Sequence, residues 1–358
     1  MKAICLLAIS TLLCSCATRN LTSSEGLEKR LRQHMDKGEI LIGHQDDLFY
    51  GHSWRVSENE TLFERSDIKE VCGQYPMVLG IDLGGIELGA ECNLDGNRFD
   101  HIRAAALKHA ERGGIITISW HIRNPFTGGD SWDVSSKEAV KSVLEGGCRH
   151  ELFLSWLDAA ADYISGFTDA EGNLIPIIFR PWHEHTGSWF WWGEGLCSAD
   201  EYKALWKLTY DYLSSERGLD NLLWSYSPGA GNLSAERIGE RYPGDDMVDL
   251  LGLDVYQYGS SEDFRKELLA SASEIAAFAE ARNKLYALTE IGYEGIPEEN
   301  WWTEVVYPAI KELSPSPVYV LFWRNAWDKE GHFYAPYPGQ VSADDFCAFA
   351  AKDDIILN

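Results

Sequence analysis

Eight short apolar runs recur along this chain, separated by segments long enough to form helices, and that rhythm narrows the fold more than any other feature. The runs are Ile40 to His44, Met77 to Asp82, Gly114 to His121, Ile175 to Phe179, Leu222 to Tyr226, Leu250 to Tyr256, Leu285 to Glu290 and Val318 to Arg324. Most are continuous in aliphatic and aromatic residues rather than alternating, the pattern of a strand covered on both faces. Helical periodicity fills the gaps at Phe99 to Arg112, Glu151 to Ile164, Ala199 to Leu213, Glu262 to Ala281 and Trp301 to Leu313. A further helix is predicted over Glu25 to Lys37, with Leu27, Leu31 and Met35 on one face. Strands and helices alternating in this way predict a single-domain (β/α)8 TIM barrel, for which about 250 residues plus insertions is usual. The competing fold, an open doubly wound sheet, asks for a glycine-rich phosphate turn after its first strand. Gly43-His44-Gln45-Asp46 is not one.

In such a barrel the chemistry sits where strands end. The runs end, in order, in His44-Gln45-Asp46, Asp82, Trp120-His121, His183-Glu184, Tyr226-Ser227, Asp254-Val255-Tyr256, Glu290 and Trp323-Arg324. Two carboxylates stand out: Glu184 after the fourth run and Glu290 at the end of the seventh. Hydrolysis of a glycosidic bond needs an acid to protonate the leaving oxygen, and a second carboxylate to attack the anomeric carbon or activate water. The acid must stay protonated near neutral pH, which an apolar or anionic setting achieves. Trp182, Trp189, Phe190 and the charge of Glu290 offer Glu184 such a setting. Tyr256 is a candidate hydrogen-bond donor to Glu290.

Blander readings compete with each of these. A lone Glu at a strand end is more often a helix cap or a solvated charge; its pairing across the mouth favours chemistry. His183 and His185 flank Glu184, and on an extended strand both imidazoles would point together and Glu184 away. With His121 and Asp254 they make a metal site on paper, but the first run lacks the His-x-His of barrel metallohydrolases. No metal or other cofactor is expected. Trp189, Trp191 and Trp192 are either loop anchors or a platform for the flat C–H faces of sugars. Fourteen Trp in one chain favour the platform, because each buried indole N–H needs a partner and makes Trp a costly core filler.

The net charge of −25 argues against nucleic acid, whose phosphates need Lys and Arg, and against anionic membrane surfaces; a neutral polymer is compatible with it. The opening MKAICLLAISTLLCSC reads as a secretory signal, and Leu13-Cys14-Ser15-Cys16 as a lipoprotein box cleaved before Cys16. A cleaved signal releasing a soluble protein is the alternative. The expected organisation is a signal peptide over residues 1–15, a lipidated stem over 16–24 and the catalytic barrel over 25–358. Ala17 to Leu21 lacks an acidic run, which favours the periplasmic side over the cell surface. Membrane contact is then expected only through the lipid on Cys16, and the protein is expected to be a monomer. Five cysteines remain in the mature chain, without a CxxC; in an oxidising compartment they leave room for one bridge among Cys92, Cys148 and Cys197.

The run Arg180-Pro181-Trp182-His183-Glu184-His185-Thr186-Gly187-Ser188-Trp189-Phe190-Trp191-Trp192 closely resembles the acid/base signature of glycoside hydrolase family 26, and the other strand ends match in order. That family is chiefly retaining β-mannanases on a (β/α)8 barrel. The resemblance implies Glu184 as acid/base and Glu290, in Leu288-Thr289-Glu290-Ile291-Gly292, as nucleophile. It implies substrate-binding roles for His121, His183, Trp189, Asp254, Tyr256, Trp323 and Arg324. Tyr256 would bond the nucleophile, and Trp189 would wall the cleavage point. The substrate implied is β-mannan or manno-oligosaccharide. Other members act on mixed-linkage glucan or β-1,3-xylan, and a non-catalytic glycan-binding lipoprotein is the rival from another class. Specificity is expected in the loops Glu87 to Asn97 and Asn124 to Arg149, the second bearing Trp132.

Overall fold

The structure, a computed structural model, describes residues 23–358; the expected signal peptide, its cleavage before Cys16 and the expected lipid on Cys16 fall outside the described residues. All eight runs form strands: β1 (Ile40–Gln45), β2 (Val78–Asp82), β3 (Ile115–Ser119), β4 (Ile177–Arg180), β5 (Leu222–Tyr226), β6 (Leu250–Gln257), β7 (Leu285–Tyr293) and β8 (Tyr319–Phe322). Each pairs in parallel with its neighbours in chain order. β8 then pairs back to β1, from Leu41 opposite Tyr319 to His44 opposite Phe322, which closes the barrel. Helices including Phe99–Glu111, His150–Ile164, Ala199–Tyr210 and Ser261–Glu280 lie between the strands in sequence. Their apolar stripes and the strands' outward residues, such as Ile42, Leu79, Ile118 and Phe179, merge into one buried layer. Ser198 starts one of these helices with a reciprocal cap to Glu201, which satisfies two backbone donors the helix leaves free.

The barrel interior changes character from bottom to top. The N-terminal helix α1 (Ser24–Asp36) sets Leu27 and Leu31 against Leu41, Val78, Ile115, Ile178, Leu223 and Leu285, stopping the lower end with an apolar plug. One layer up the residues are small: a Cβ on Gly80 would lie 1.9 Å from Gln45 Oε1, so a larger residue there would have to displace the buried Gln45 side chain. At the top the buried residues are polar, among them Gln45, Asp82, Ser119, Arg180 and Asp254. Several of these pair with one another: Ser119 donates to Asp82 at 2.7 Å and Arg180 to Asp254 at 2.8 Å.

Two additions were not read from the sequence. A small hairpin pairs Tyr50–Gly51 with Trp54–Arg55 beside the mouth, and Ile355–Ile356 adds a short parallel strand to the start of β1. β7 also carries one extra residue: Leu253 faces Leu288 while Asp254 faces Glu290, and the register against β8 shifts at the same place. This bulge re-aims the strand where Thr289 and Glu290 stand. The bridge for which Cys92, Cys148 and Cys197 leave room is not formed. Cys72, Cys92, Cys148, Cys197 and Cys347 are all free, and Cys197 is buried with its thiol on the Trp192 carbonyl at 3.3 Å while Cys148 is exposed. Among the described residues no helix is long and apolar enough to cross a membrane.

Candidate active site

Pro181 ends β4 and the chain turns sharply. Trp182 and Glu184 both adopt left-handed backbone, at φ 54° and 52°, a conformation side chains adopt at a cost of about 1 kcal/mol or more. The Glu184 N–H is held by the Ser227 carbonyl at 2.7 Å. This geometry corrects the expectation that His183 and His185 point together, which assumed an extended strand. His183 faces His121, their Nε2 atoms 3.2 Å apart. His185 instead goes into the core between the rings of Tyr202 and Tyr226, with no hydrogen-bond partner on either nitrogen. Burial, with Arg241 and Arg237 nearby, holds its pKa well below the usual histidine value.

The tryptophans divide by role. Trp191 and Trp192 are fully buried, their indoles donating to the carbonyls of Ile122 and His183 at 3.1 and 2.8 Å; they brace the loop. Trp189 is 44% exposed and donates its indole N–H to Glu184 Oε2 at 2.7 Å. Gly187 makes this possible, since a Cβ there would lie 2.2 Å from the indole ring.

Glu290 faces Glu184 across the mouth. One oxygen each of Glu184, Asp254 and Glu290 lie within 4.8 Å of one another. Arg180, at the end of β4, donates to Glu290 and, at 2.8 Å, to Asp254, and Tyr256 donates its hydroxyl to Glu290 at 2.6 Å. The cation that three clustered carboxylates call for is therefore already present as a guanidinium. Asp254, expected among the substrate ligands, has its second oxygen bonded to Thr289 at 2.6 Å and is buried; it holds Arg180 from beneath the mouth. Burial, and secondarily the facing Glu290, push the Glu184 pKa up to about 7 against the opposing Trp189 hydrogen bond and the Arg180 and His121 charges. The two carboxyls thus have different tasks: Glu290 is held by two donors, while Glu184 keeps a proton near neutrality.

His121 takes a hydrogen bond with Asp82 at 2.7 Å and lies under the Trp132 ring, centroids 5.2 Å apart. Trp132 is 47% exposed and comes from the Asn124 to Arg149 loop. Trp323 stands 6.2 Å from His121, ring to ring. Arg324 lies to one side, paired with Asp95 at 3.0 Å and bonded to the Tyr50 hydroxyl at 3.1 Å; Tyr50 donates in turn to Asp46 at 2.6 Å. The structure thus gathers His121, His183, Glu184, Trp189, Asp254, Tyr256, Glu290, Trp323 and Arg324 at one mouth. Beside them stand Asp46, Asp82 and Trp132, which the sequence places at strand ends or in a specificity loop, and Arg180, Tyr50 and Asp95, to which it assigns no role. Arg180 carried a legible signal: an arginine closing a doubly buried strand needs carboxylate partners.

Residues 29–303 match the family model for glycosyl hydrolase family 26. The chain belongs to that family. Among family 26 relatives, a mannan endo-1,4-beta-mannosidase of Bifidobacterium adolescentis is 34% identical over 333 residues, covering 87% of this chain and 33% of the relative. One from Bacillus subtilis is 30% identical, covering 75% of this chain and 71% of the relative. The chain thus spans about a third of the first relative's length. Among solved family 26 structures, a beta-mannanase of Bacteroides ovatus superposes with a TM-score of 0.89 at 47% identity, covering 93% of this chain and 94% of that one.

Proposed function

We propose that this glycoside hydrolase is a retaining β-mannanase, cleaving β-1,4-mannosidic bonds in mannan, galactomannan or manno-oligosaccharides by double displacement. The observation that carries the reading is the opposed pair of carboxyls, Glu184 and Glu290, with oxygens within 4.8 Å. Retaining glycosidases hold their carboxyls about 5–5.5 Å apart and inverting ones about 6.5–9.5 Å; the short approach supports retention. Glu290 attacks the anomeric carbon while Glu184 gives its proton to the departing oxygen. Glu184, now a carboxylate, then takes a proton from the water that displaces Glu290. Arg180 and Tyr256 hold Glu290 for the attack, and Trp189 orients Glu184. Mannan as substrate is supported by the relatives named above, foremost the Bacteroides ovatus enzyme, which matches nearly end to end. We further propose that the protein works without a cofactor, as a monomer, and that a lipid on Cys16 keeps it on the periplasmic side, where imported manno-oligosaccharides would reach it.

The test is a product profile on mannan, galactomannan, mixed-linkage glucan and β-1,3-xylan. Mannans should be cleaved in preference; cleavage of only the glucan or the xylan would overturn the substrate. NMR of the first product should show the β-anomer, and an initial α-anomer would exclude retention. Glu290→Ala should lose hydrolysis and keep oligosaccharide binding.

A further inference from the structure

Asp82 has no role in the chemistry described above, yet its carboxylate is among the most heavily bonded groups in the molecule. It is 1% exposed. It accepts from the Gly84 N–H at 2.7 Å, the Ser119 hydroxyl at 2.7 Å, the His121 N–H at 3.2 and 3.3 Å, and the His121 ring at 2.7 Å from Nδ1. An ionised carboxylate only accepts, so His121 Nδ1 carries a proton. The other ring nitrogen, Nε2, faces Nε2 of His183 at 3.2 Å, and a single proton lies between two facing nitrogens. His183 is buried, and its remaining nitrogen, Nδ1, has no partner. Only two arrangements satisfy this chain. Either His121 is an imidazolium donating to His183, whose own proton sits on Nδ1, or His121 is neutral and His183 donates from Nε2.

We propose that Asp82 is a positioning residue for the hydrolysis: it holds His121 as the donor in this pair, and so fixes the proton of His183 on Nδ1 and places a positive charge beside Glu184. The groups facing His121 favour that state. Asp82 and Asp95 approach from β2 and the loop after it, and Glu290 from β7. Arg180 opposes from β4, and Glu184 follows that strand. Trp132, Phe190 and Trp323 supply aromatic walls. Burial alone would discharge His121, but the Asp82 charge and hydrogen bond reverse that and raise its pKa, while burial and the Arg180 and His121 charges drive that of His183 down. A cationic His121 restrains the upward push on Glu184 and sets how far into the alkaline range the acid keeps its proton.

The role in hydrolysis rests on the proposed function, but the proton assignment can be read without substrate. Nitrogen-15 NMR of the histidines in the wild-type protein at about pH 6 should show His121 protonated on both nitrogens and His183 neutral with its proton on Nδ1. A neutral His121, or a His183 protonated on Nε2, overturns the proposal; this spectrum decides even if no variant folds. In Asp82→Asn, His121 should become neutral. The alkaline limb of kcat/KM on mannotetraose should then move up by about half a pH unit or more, with kcat/KM at the optimum falling roughly tenfold. An Asp82→Asn protein with the wild-type nitrogen pattern and pH profile would refute it. The expected nitrogen pattern in a protein that hydrolyses no glycan would support the proton assignment and overturn the proposed function instead.

Discussion

Glu184 is held in a form that suits the acid role proposed for it and not its fold. Its backbone is left-handed, and its carboxyl, half-buried, titrates near 7. Because only the protonated form can donate, kcat/KM should fall about tenfold per pH unit above about 7, which a pH–rate profile on mannan would show. The same shift bears on stability. A carboxyl whose pKa is raised on folding binds more protons folded than unfolded between the two values, so folding is progressively weakened as pH rises from about 4.5 to 7. Glu184→Gln removes this ionisation; melts at pH 8 should show a gain of about 1–2 kcal/mol, discounted for partial exposure, and melts at pH 4 little change. Tyr256→Phe should leave the fold intact and lower kcat about tenfold to a hundredfold, the worth of a hydrogen bond to a charged group.

The segment from Pro181 to Cys197 is the element on which the site depends, and it shows where sequence reading works and where it stops. The eight strands were legible because doubly buried strands leave continuous apolar runs, and Glu184 and Glu290 because they stand where those runs end. The direction of His185 was not legible, since it depends on two left-handed residues that local propensity does not announce in Trp182 and Glu184. The bulge at Thr289 was hidden for another reason: one extra residue in a strand changes register against its neighbours, and register is a property of pairs. Asp254 looked like a ligand from its place at a strand end; only the packing reveals that Arg180 and Thr289 occupy both its oxygens. The division of the tryptophans gives a prediction for the same segment. Trp192→Ala should cost about 3–5 kcal/mol in a denaturant melt, as for a large core side chain. Trp189→Ala should change stability by no more than about 0.5 kcal/mol and raise KM on oligosaccharides.

At the scale of the whole molecule, the net charge of −25 makes a self-repelling body, while the substrate proposed for it is an uncharged chain. Raising salt from about 50 to 500 mM screens the repulsion and should lift the melting temperature. It should leave kcat/KM on mannan within about twofold, because no charge steers the substrate; a steep salt dependence would point to a charged polymer. The apolar plug at the lower end of the barrel has a practical corollary. Helix α1 seals that end, and the closing strand Ile355–Ile356 lies beside the first residues of β1, so the described chain enters and leaves on the side away from the cleft. Coupling the protein to a bead, an electrode or a partner enzyme through residues next to either Ser23 or Asn358 would therefore orient every copy with its mouth outward and its substrate path clear.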